Sequence, residues 1–369
     1  MSQKIKVGVL FGGKSTEHEV SIASTKNIIR AIDKDKYDVV LIGIDKKGSW
    51  HLNNNYQVLL DQKAEGKMTE EVQSDFGEEV FIIPNEDDSA KLVSLANTAN
   101  ETSIDVIFPV LHGPFGEDGT IQGLLKLLNV PYVGGDVLGT AVGMDKDVMK
   151  KLFIADGIPI GDYVCVKHFN RDQFPFSEVS ERLGLPVFVK PANAGSSVGV
   201  SKVRNEEEYN TALDAAFKFD NKVLVEAFLE GREVECAVLG NENPQASVLG
   251  EIIPKHDFYS YDAKYIDEDG ATCRIPARVD EALSDKIRAL AVKTFQTLCH
   301  EGLGRVDCFL TKDNEIFVNE INSMPGFTPI SMYPQLWEAT GKSQKELTDE
   351  LIQLAIARFK RDQRLQSVI

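Results

Sequence analysis

The beginning of the chain alternates continuous apolar runs with amphipathic segments. Residues 4–11 and 37–44 are apolar runs bounded by turn residues, and such runs predict buried strands. Between them, residues 15–32 place apolar side chains at helical spacing. Residues 104–111 form a third apolar run, and residues 120–128 after it again have helical spacing. Strands that alternate with helices in this way predict a parallel α/β sheet.

The middle and the end of the chain contain shorter strands and two predicted hairpins. Residues 192–200 form a small-residue loop between apolar runs, which predicts a strand, a loop and a returning strand. Residues 306–310 and 315–321 are apolar runs separated by Thr-Lys-Asp-Asn, which predicts a second hairpin. The remaining predicted strands are 187–190, 222–228, 233–239 and 246–253, and the remaining predicted helices are 144–155, 206–219, 284–299 and 347–364.

Two long segments have no clear periodicity. Residues 53–103 are polar and acidic around a single apolar run at 80–83, which predicts an insertion without chemistry. Residues 255–278 are rich in Tyr, Asp and Lys and are too long for a simple connector, which predicts a lid. A first boundary in the Gly-rich stretch near Gly139 and a second after residue 232 divide the chain into three domains: 1–139, 140–232 and 233–369.

The composition of the chain is that of an ordinary globular protein. Of its 369 residues, 43% are hydrophobic and 26% charged, so a large core can form. The net charge of −17 argues against nucleic acid and anionic membranes as partners. Five scattered cysteines without metal-type spacing predict reduced thiols in a cytoplasm. A strand close to the first residue, and no run approaching about 18 apolar residues, predict neither a signal peptide nor a membrane span.

The predicted hairpin near the C-terminal end carries a candidate metal site. Side chains alternate along a strand, so Arg305 and Asp307 share one face of the first strand, and Glu320 and Asn322 share one face of the second. Two carboxylates and an amide oxygen are hard ligands of the kind that Mg²⁺ binds. The alternative is a solvated strand edge, but Asp307 and Glu320 are embedded among apolar residues, which favours the metal site.

A small-residue loop and two lysines form a candidate phosphate site. The loop at 192–200 can lie over phosphates and donate backbone N–H groups to them. A glycine loop alone is weak support for such a site. Lys190 directly before the loop and Lys146 upstream of it strengthen the interpretation, because both offer a point charge to phosphate.

A candidate adenine and ribose site follows the next predicted strand. Residues 222–228 end in apolar side chains and lead into two carboxylates, which suits a nucleoside. An ordinary strand with a solvated end is the alternative interpretation. The residues concerned are Glu226, Ala227, Phe228, Leu229 and Glu233.

A second phosphate-type pattern occurs at the start of the chain. Residues 8–15 fit G-x-x-x-x-G-K-[ST] letter for letter. A phosphate loop would need residues 9–11 to be irregular, whereas they belong to the first predicted strand. We therefore expect Lys14 to have no part in phosphate binding.

The loop after the third predicted strand is a candidate substrate site. It begins with His112 and continues as Gly-Pro-Phe-Gly-Glu-Asp-Gly to residue 119. Open α/β sheets bind ligands outside the carboxyl ends of their parallel strands. We therefore expect His112 to contact a substrate, and an ordinary loop histidine is the alternative.

Six motifs occur in order and span nearly the whole chain. They are GGKSTEHEVS (12–21), LHGPFGEDG (111–119), VKPANAGSSVGVSKV (189–203), DAKY (262–265), GRVD (304–307) and NEINSMPGFTPIS (319–331). Together they resemble the D-alanine–D-alanine ligase family of the ATP-grasp superfamily. The resemblance implies an ATP-grasp fold of mixed α/β and α+β class, with three domains of which the first is a parallel α/β domain. It also implies a homodimer with D-alanine as substrate.

The resemblance further implies a reaction and a role for each motif residue. ATP phosphorylates the first D-alanine to an acyl phosphate, which the amine of the second attacks, giving the cell-wall precursor D-alanyl-D-alanine. The implied ATP ligands are Lys146, Lys190, Ser197, Glu226, Ala227, Phe228, Leu229, Glu233 and, from the lid, Lys264. The implied ligands of two Mg²⁺ or Mn²⁺ ions are Asp307, Glu320 and Asn322. The implied substrate and catalytic residues are Glu17, His112, Ser196, Tyr265, Arg305, Gly326 and Ser331.

Within that set, the implied roles fall at three places. Glu17 is expected to bind the ammonium group of the first D-alanine. Arg305, Ser331 and the Gly326 N–H are expected to hold the second substrate and the developing oxyanion. Hydrogen bonds among Tyr265, Ser196 and Glu17 are expected to tie the lid to the first domain.

Three other classes of protein remain as alternatives at this point. A different ATP-grasp ligase, such as a carboxylase subunit, would share the nucleotide half and the metal hairpin but not the motifs at 111–119 and 319–331. A P-loop kinase would need Lys14 at the phosphates. A non-catalytic amino-acid-binding protein would need no metal hairpin.

Overall fold

Three β-sheets succeed one another along the chain. The structure is a computed structural model, and it describes residues 4–53, 77–85, 89–94, 101–254 and 271–365. Most of the predicted lid, including Lys264 and Tyr265, lies outside the described residues. None of the helices within the described ranges has the length and apolarity that crossing a membrane requires.

The first sheet has a parallel half and an antiparallel half. Its strands are β1 (Ile5–Gly12), β2 (Tyr37–Ile44), β3 (Trp50–Asn53), β4 (Glu78–Pro84), β5 (Ala90–Ser94), β6 (Glu101–Ile104) and β7 (Val106–Val110). They lie in the order β6-β5-β4-β3-β2-β1-β7. The strand β1 is parallel to both β2 and β7, as the apolar runs predict, and the other pairs are antiparallel.

Two expectations about this sheet are wrong in part. The segment 53–103 is not merely an insertion, because β4, β5 and β6 extend the sheet beyond β3. The apolar run at 104–111 is not one strand, because it is interrupted at Asp105 between β6 and β7. There the Asp105 carboxylate accepts the backbone N–H of Lys6 at 2.7 Å, and the Asp105 N–H bonds to the Lys6 carbonyl.

Two helices belong to this first unit. They are α1 (His18–Ala31), which follows β1, and α2 (Thr120–Leu127), which follows the loop after β7. The buried face of α1 includes Val20, Ile22, Ile28 and Ile29, and this is the face that its helical spacing predicts. Because β1 and β7 are parallel, the loops that follow these two strands emerge at the same edge of the sheet.

The central sheet has the order β10-β9-β11-β8. Its strands are β8 (Tyr163–Lys167), β9 (Val187–Pro191), β10 (Ser201–Val203) and β11 (Lys222–Ala227). The helices around it are α3 (Val137–Met144), α4 (Lys146–Ala155), α5 (Phe176–Leu183) and α6 (Glu206–Ala216), with a 3₁₀ helix at His168–Gln173. Ser201 pairs with Val189 across antiparallel strands, which confirms the hairpin predicted around residues 192–200.

The third sheet has the order β14-β13-β12-β15-β16. Its strands are β12 (Gly231–Gly240), β13 (Gln245–Pro254), β14 (Ala271–Arg274), β15 (Gly302–Thr311) and β16 (Ile316–Asn322). The accompanying helices are α7 (Glu281–Thr297), α8 (Met332–Ala339) and α9 (Gln344–Asp362). The strand β14 pairs with β13, so the end of the segment predicted to be structureless is part of this sheet.

Both predicted domain boundaries fall inside elements of secondary structure. Gly139 lies within α3, and a Cβ added there would meet the backbone of Cys299 and His300, so α3 packs against the third unit. The boundary after residue 232 lies two residues into β12, whose Gly231 already pairs with Thr311.

One hydrophobic core joins the first and third units. It contains Val9 and Phe108 of the first sheet together with Leu303 of the last sheet and Trp337 of α8. Phe327 forms the seam, with its ring centroid 6.2 Å from that of Phe108. A cleft among the described residues lies between the central and third sheets.

Candidate active site

A cavity of about 450 Å³ lies between the central and third sheets. The central sheet and α4 supply lysines to its wall, and the third sheet supplies carboxylates. Residues that define it include Lys146, Lys190, Glu226, Phe228, Asp307 and Glu320. All six were singled out from the sequence, so the fold brings the predicted nucleotide and metal residues into one cavity.

The two predicted phosphate lysines are buried in this cavity and face carboxylates. Lys146 begins α4, and its Nζ lies 3.2 Å from an oxygen of Glu320 and 2.9 Å from the Ala194 carbonyl oxygen. Lys190 is the penultimate residue of β9, and its Nζ lies 2.8 Å from an oxygen of Glu226. Burial works against the charge of Lys190, but the neighbouring carboxylate of Glu226 holds its pKa above the ordinary value. The ammonium group of Lys190 therefore stays charged, as phosphate binding requires.

The small-residue loop between β9 and β10 has an unusual backbone. Ser196 and Ser197 have φ values of +51° and +59°, in the left-handed region that most side chains avoid. Successive N–H groups in such a turn can converge on an anion. The hydroxyl of Ser196 donates to the carboxylate of Glu17, which links this loop to the first unit.

Glu17 occupies a narrow place between two loops. It is buried, and it directly precedes α1. A Cβ built on Gly113 would lie 2.5 Å from its Oε2, and one built on Gly195 would lie 3.0 Å away. Both glycines therefore allow their loops to approach the carboxylate closely, which explains why small residues flank it on two sides.

The hairpin β15–β16 brings together the residues that were predicted to share a face on each strand. Asp307 lies opposite Glu320, and Arg305 lies opposite Asn322. Between the pair Asp307–Glu320 and the pair Cys308–Val318 the register shifts by one residue. The shift is a β-bulge that leaves Asn319 outside the ladder, and its side-chain oxygen lies 3.4 Å from Lys190 Nζ.

Arg305 is held by two carboxylates. Its Nε and Nη2 each donate to one oxygen of Asp307 at 2.8 Å, and its Nε lies 3.0 Å from Glu235. Burial opposes the charge, yet Asp307 and Glu235 hold the pKa of Arg305 well above its ordinary value. The guanidinium is therefore a fixed positive charge beside Asp307 and Glu235, which line the cavity.

The oxygen donors around Asp307 fit a hard divalent cation. Asp307 and Glu320 are paired across the hairpin, and the Asn322 amide contacts Asp307 at 2.9 Å. Oxygens of Glu233, Glu235 and Asp307 lie within 4.8 Å of one another. Carboxylate oxygens at such spacing are ligands that Mg²⁺ accepts.

The predicted adenine residues line the cleft where β11 ends. Glu226 is the penultimate residue of β11, and Ala227, Phe228 and Leu229 follow it along the wall of the cavity. The Phe228 ring lies 6.1 Å from that of Phe188. Glu233 lines the same cavity from β12. An aromatic wall beside carboxylates suits a flat heterocycle with a polar edge.

His112 and the loop after β16 form a buried network. One ring nitrogen of His112 lies 3.1 Å from the Ser24 hydroxyl, and the other lies 2.9 Å from the Met324 carbonyl oxygen. The Ser24 hydroxyl also accepts the Phe327 N–H. Burial lowers the pKa of His112. His112 thus joins the first unit to the loop that contains Gly326.

Gly326 and Ser331 lie together in that loop. A Cβ added to Gly326 would lie 2.8 Å from the Ser331 hydroxyl oxygen. That oxygen accepts the Thr328 N–H at 3.0 Å, so the turn closes on itself just before α8. The close approach requires glycine at position 326.

Three residues of the site were not singled out from the sequence. Lys150 lies 3.2 Å from Glu226, one helical turn after Lys146, and that spacing was the available signal. Glu235 lies two residues after Glu233 on the same strand face. Glu117 accepts the N–H groups of Gly113 and Met324, each at 2.9 Å, and its position within the motif at 111–119 was the signal.

The alternative phosphate loop at the start of the chain is excluded by the backbone. Residues Ile5–Gly12 form β1, which pairs with β2 and β7 along its length. The backbone N–H groups of residues 9–11 are therefore committed to the sheet and cannot surround a phosphate.

A basic wall from a central antiparallel sheet and an acidic wall from a second sheet enclose one cavity, and this arrangement defines an ATP-grasp enzyme. Known proteins with the same architecture identify the family. The models for the D-ala D-ala ligase N-terminus and C-terminus match residues 6–135 and 152–353. The chain belongs to the D-alanine–D-alanine ligase family.

Individual relatives agree with this assignment over the full length. The chain is 51% identical to the D-alanine–D-alanine ligase of Oceanobacillus iheyensis over 364 residues, covering 99% of this chain and 98% of the relative. The solved structure of the D-alanine-D-alanine ligase from Coxiella burnetii has a TM-score of 0.87 at 38% identity, covering 98% and 97% of the two chains. VanG D-Ala:D-Ser ligase from Enterococcus faecalis has a TM-score of 0.83 at 34% identity, covering 96% and 100%.

Proposed function

We propose that this chain is an ADP-forming ligase that uses ATP to join two D-alanines into D-alanyl-D-alanine, a precursor of peptidoglycan. The observation that carries the proposal is one cavity in which Lys146 and Lys190 face the carboxylates of Asp307 and Glu320. Full-length similarity to D-alanine–D-alanine ligases supports the choice of substrate.

ATP activates the carboxylate of the first D-alanine, which is otherwise a poor acyl donor. A carboxylate oxygen of D-alanine attacks the γ-phosphorus, the bond to the β-phosphate oxygen breaks, and ADP leaves. Lys146 and Lys190 neutralise the phosphate oxygens during this transfer. The backbone around Ser197 covers the phosphates, and residues 226–229 with Glu233 hold the nucleoside.

Divalent metal ions would be held by Asp307, Glu320 and Asn322, whose oxygens fit Mg²⁺ or Mn²⁺. When bound, such ions neutralise the charge that develops on the transferring phosphoryl group. Glu235 supports this site indirectly, because it shares Arg305 with Asp307 and keeps the guanidinium beside the carboxylates.

Different residues bind the first D-alanine and stabilise the intermediate formed with the second. The Glu17 carboxylate binds the ammonium of the first D-alanine, and Ser196 fixes the orientation of that carboxylate by a hydrogen bond. The neutral amine of the second D-alanine then attacks the acyl carbon of D-alanyl phosphate. Arg305 and the Gly326 N–H stabilise the negative oxygen of the tetrahedral intermediate. That intermediate expels phosphate, and the new amide loses the extra amine proton.

The remaining parts of the proposal concern the lid, the second substrate site, and the location and oligomeric state of the enzyme. The acyl phosphate is open to hydrolysis, so water must be excluded, and the segment 255–278 with Lys264 and Tyr265 serves as the lid. Ser331 and His112 shape the second substrate site. The enzyme acts in the cytoplasm as a homodimer, which analytical ultracentrifugation would test.

An ADP-release assay tests the proposal. With Mg²⁺ present, D-alanine should stimulate ATP consumption and L-alanine should not, and chelation of the metal should abolish the activity. Lys14→Ala is a matched control that should stay active, whereas Glu17→Gln should lose D-alanine stimulation. ATP consumption that L-alanine stimulates equally would contradict the proposed substrate.

A further inference from the structure

Glu226 is held between two buried lysines. Its Oε1 lies 3.2 Å from Lys150 Nζ, and its Oε2 lies 2.8 Å from Lys190 Nζ. The side chain of Lys150 is 2% exposed, that of Lys190 is 10% exposed and that of Glu226 is 13% exposed. Three ionisable groups, two lysines and one carboxylate, are therefore enclosed together in the cavity wall. Burial lowers the pKa of Lys150, and the neighbouring Glu226 carboxylate opposes that shift.

The two lysines differ in what else they face. The Nζ of Lys190 also lies 3.4 Å from the side-chain oxygen of Asn319 on β16, across the cleft. Lys150 lies on the inner side of α4, with its Nζ 5.7 Å from the centre of the Tyr163 ring on β8. Both lysines line the cavity, but the side chain of Lys150 is less exposed than that of Lys190, so a phosphate in the cleft meets Lys190 more readily.

Phosphate binding by Lys190 creates an electrostatic problem. The ammonium group must turn from Glu226 toward an incoming phosphate, and a buried carboxylate that loses its only counter-ion is strongly destabilised. A second counter-ion that stays in place removes this difficulty. We propose that Lys150 is a positioning residue that remains paired with Glu226 and so releases Lys190 to bind the phosphates of ATP. This inference rests on the proposed function, since it assumes that ATP occupies the cavity.

Protonation of Glu226 distinguishes this role from simple packing. Burial would raise the pKa of Glu226, but Lys150 and Lys190 together hold it below the ordinary value. The titratable groups around Glu226 are Lys150 from α4, Lys190 from β9 and Tyr163 from β8. Glu233 from β12 and Glu320 from β16 act on Lys190.

Loss of Lys150 should therefore link nucleotide binding to proton uptake. In Lys150→Met, Glu226 is paired with Lys190 alone, and nucleotide binding would leave it buried without a counter-ion. The complex then favours protonated Glu226, whereas the free protein favours the carboxylate. Because the bound state takes up a proton, nucleotide affinity in this variant should rise as the pH falls, by at most about ten-fold per pH unit.

Calorimetric titration of the full-length protein with a non-hydrolysable ATP analogue and Mg²⁺ tests the proposal. Titrations between pH 6 and pH 8, in buffers of different ionisation enthalpy, give both affinity and proton uptake. Lys151→Met is the matched control, because Lys151 is the next residue of the same helix and its side chain is 64% exposed. Circular dichroism and melting temperature establish that each variant is folded.

The proposal predicts a different affinity and proton uptake for each variant. Wild type and Lys151→Met should bind alike, and Lys150→Met should bind about ten-fold or more weakly at pH 8 and recover toward pH 6, with proton uptake above that of wild type. Lys150→Arg keeps the charge and should behave as wild type. In the double variant Lys150→Met/Glu226→Gln no carboxylate needs a counter-ion, so it should bind more tightly than Lys150→Met at pH 8, without excess proton uptake.

Two results would overturn the inference in distinguishable ways. A loss of affinity in Lys150→Met that is equal at every pH, and that Glu226→Gln does not relieve, would show that Lys150 only packs the helix. An unfolded Lys150→Met accompanied by weak, pH-independent binding in Lys150→Arg would lead to the same conclusion. Failure of the wild type to bind the nucleotide analogue at all would instead overturn the proposed function.

Discussion

Replacement of Glu117 by glutamine should change how the stability of the protein depends on pH. One oxygen of Glu117 accepts the N–H of Gly113 in the first unit, and the other accepts the N–H of Met324 in the third. Burial and the charge of Glu17 raise the pKa of Glu117 from an ordinary value of 4.5 to about 7. The carboxyl group therefore both joins two units and titrates near neutral pH.

The sign of the effect follows from proton binding in the two states. Between pH 4.5 and about pH 7, folded Glu117 keeps its proton while the unfolded chain releases it. The folded state binds more protons there, so its stability falls as the pH rises through this range. The difference in pKa corresponds to at most about 3 kcal/mol, and the partial solvent contact of Glu117 reduces that figure.

Glu117→Gln removes the titration and alters one hydrogen bond. The amide keeps one acceptor oxygen but turns an NH₂ group toward the other backbone N–H, which costs about 1–3 kcal/mol. At pH 5 the variant should therefore be less stable than wild type. By pH 8 the gap should narrow or reverse, because only the wild type must then bury a carboxylate beside Glu17.

Urea unfolding at pH 5, 6, 7 and 8 measures this difference in free energy of unfolding. Glu178→Gln is the control, because Glu178 is an exposed glutamate on α5. Its stability difference from wild type should be the same at each pH. Parallel pH profiles for Glu117→Gln and wild type would refute the reasoning, since they would mean that Glu117 titrates alike in the folded and unfolded chains.

Three further predictions concern the cavity and the acceptor substrate. In calorimetric titrations, Lys190→Ala should lose about ten-fold or more in ATP affinity, and Lys14→Ala should stay within a few-fold of wild type. The reason is that only Lys190 offers a charge-assisted contact to phosphate, and the opposite ranking would contradict the proposed phosphate site. Asp307→Ala and Glu320→Ala should each abolish turnover and lose the rise in melting temperature that Mg·ATP gives, and near-normal turnover at low Mg²⁺ would exclude them as metal ligands. Tyr265→Phe should shift products toward D-alanyl-D-lactate when both acceptors are present, most clearly at low pH where the competing amine is protonated, and an unchanged product ratio would assign acceptor choice to other residues.

Local pattern accounted for the parts of the site that depend on one hairpin or one loop. Strand alternation alone predicted that Asp307 and Glu320 lie together, and they face each other across β15 and β16. The continuous apolar run at 4–11 identified residues 9–11 as strand and so separated Lys14 from the phosphates. These features are set by neighbouring residues, and the sequence therefore carries them directly.

Other parts depended on contacts between distant elements. The ion pair between Lys150 and Glu226 joins α4 to β11. Helical spacing places Lys150 one turn after Lys146, but no local pattern specifies Glu226 as its partner. Asp105 interrupts an apolar run because its carboxylate accepts a backbone N–H from Lys6, 99 residues away in sequence. The strands β5 and β6 are only five and four residues long, so their pairing with neighbouring strands reveals them where periodicity does not.

The acyl phosphate is the central claim, and isotope transfer tests it most directly. D-Alanine labelled with ¹⁸O in both carboxylate oxygens would be incubated with the enzyme, Mg²⁺ and unlabelled ATP, and the released phosphate analysed by mass spectrometry. Because the carboxylate oxygen that attacks the γ-phosphorus leaves with phosphate, each dipeptide formed should yield one phosphate carrying one ¹⁸O atom. Dipeptide formation accompanied by unlabelled phosphate would contradict the account.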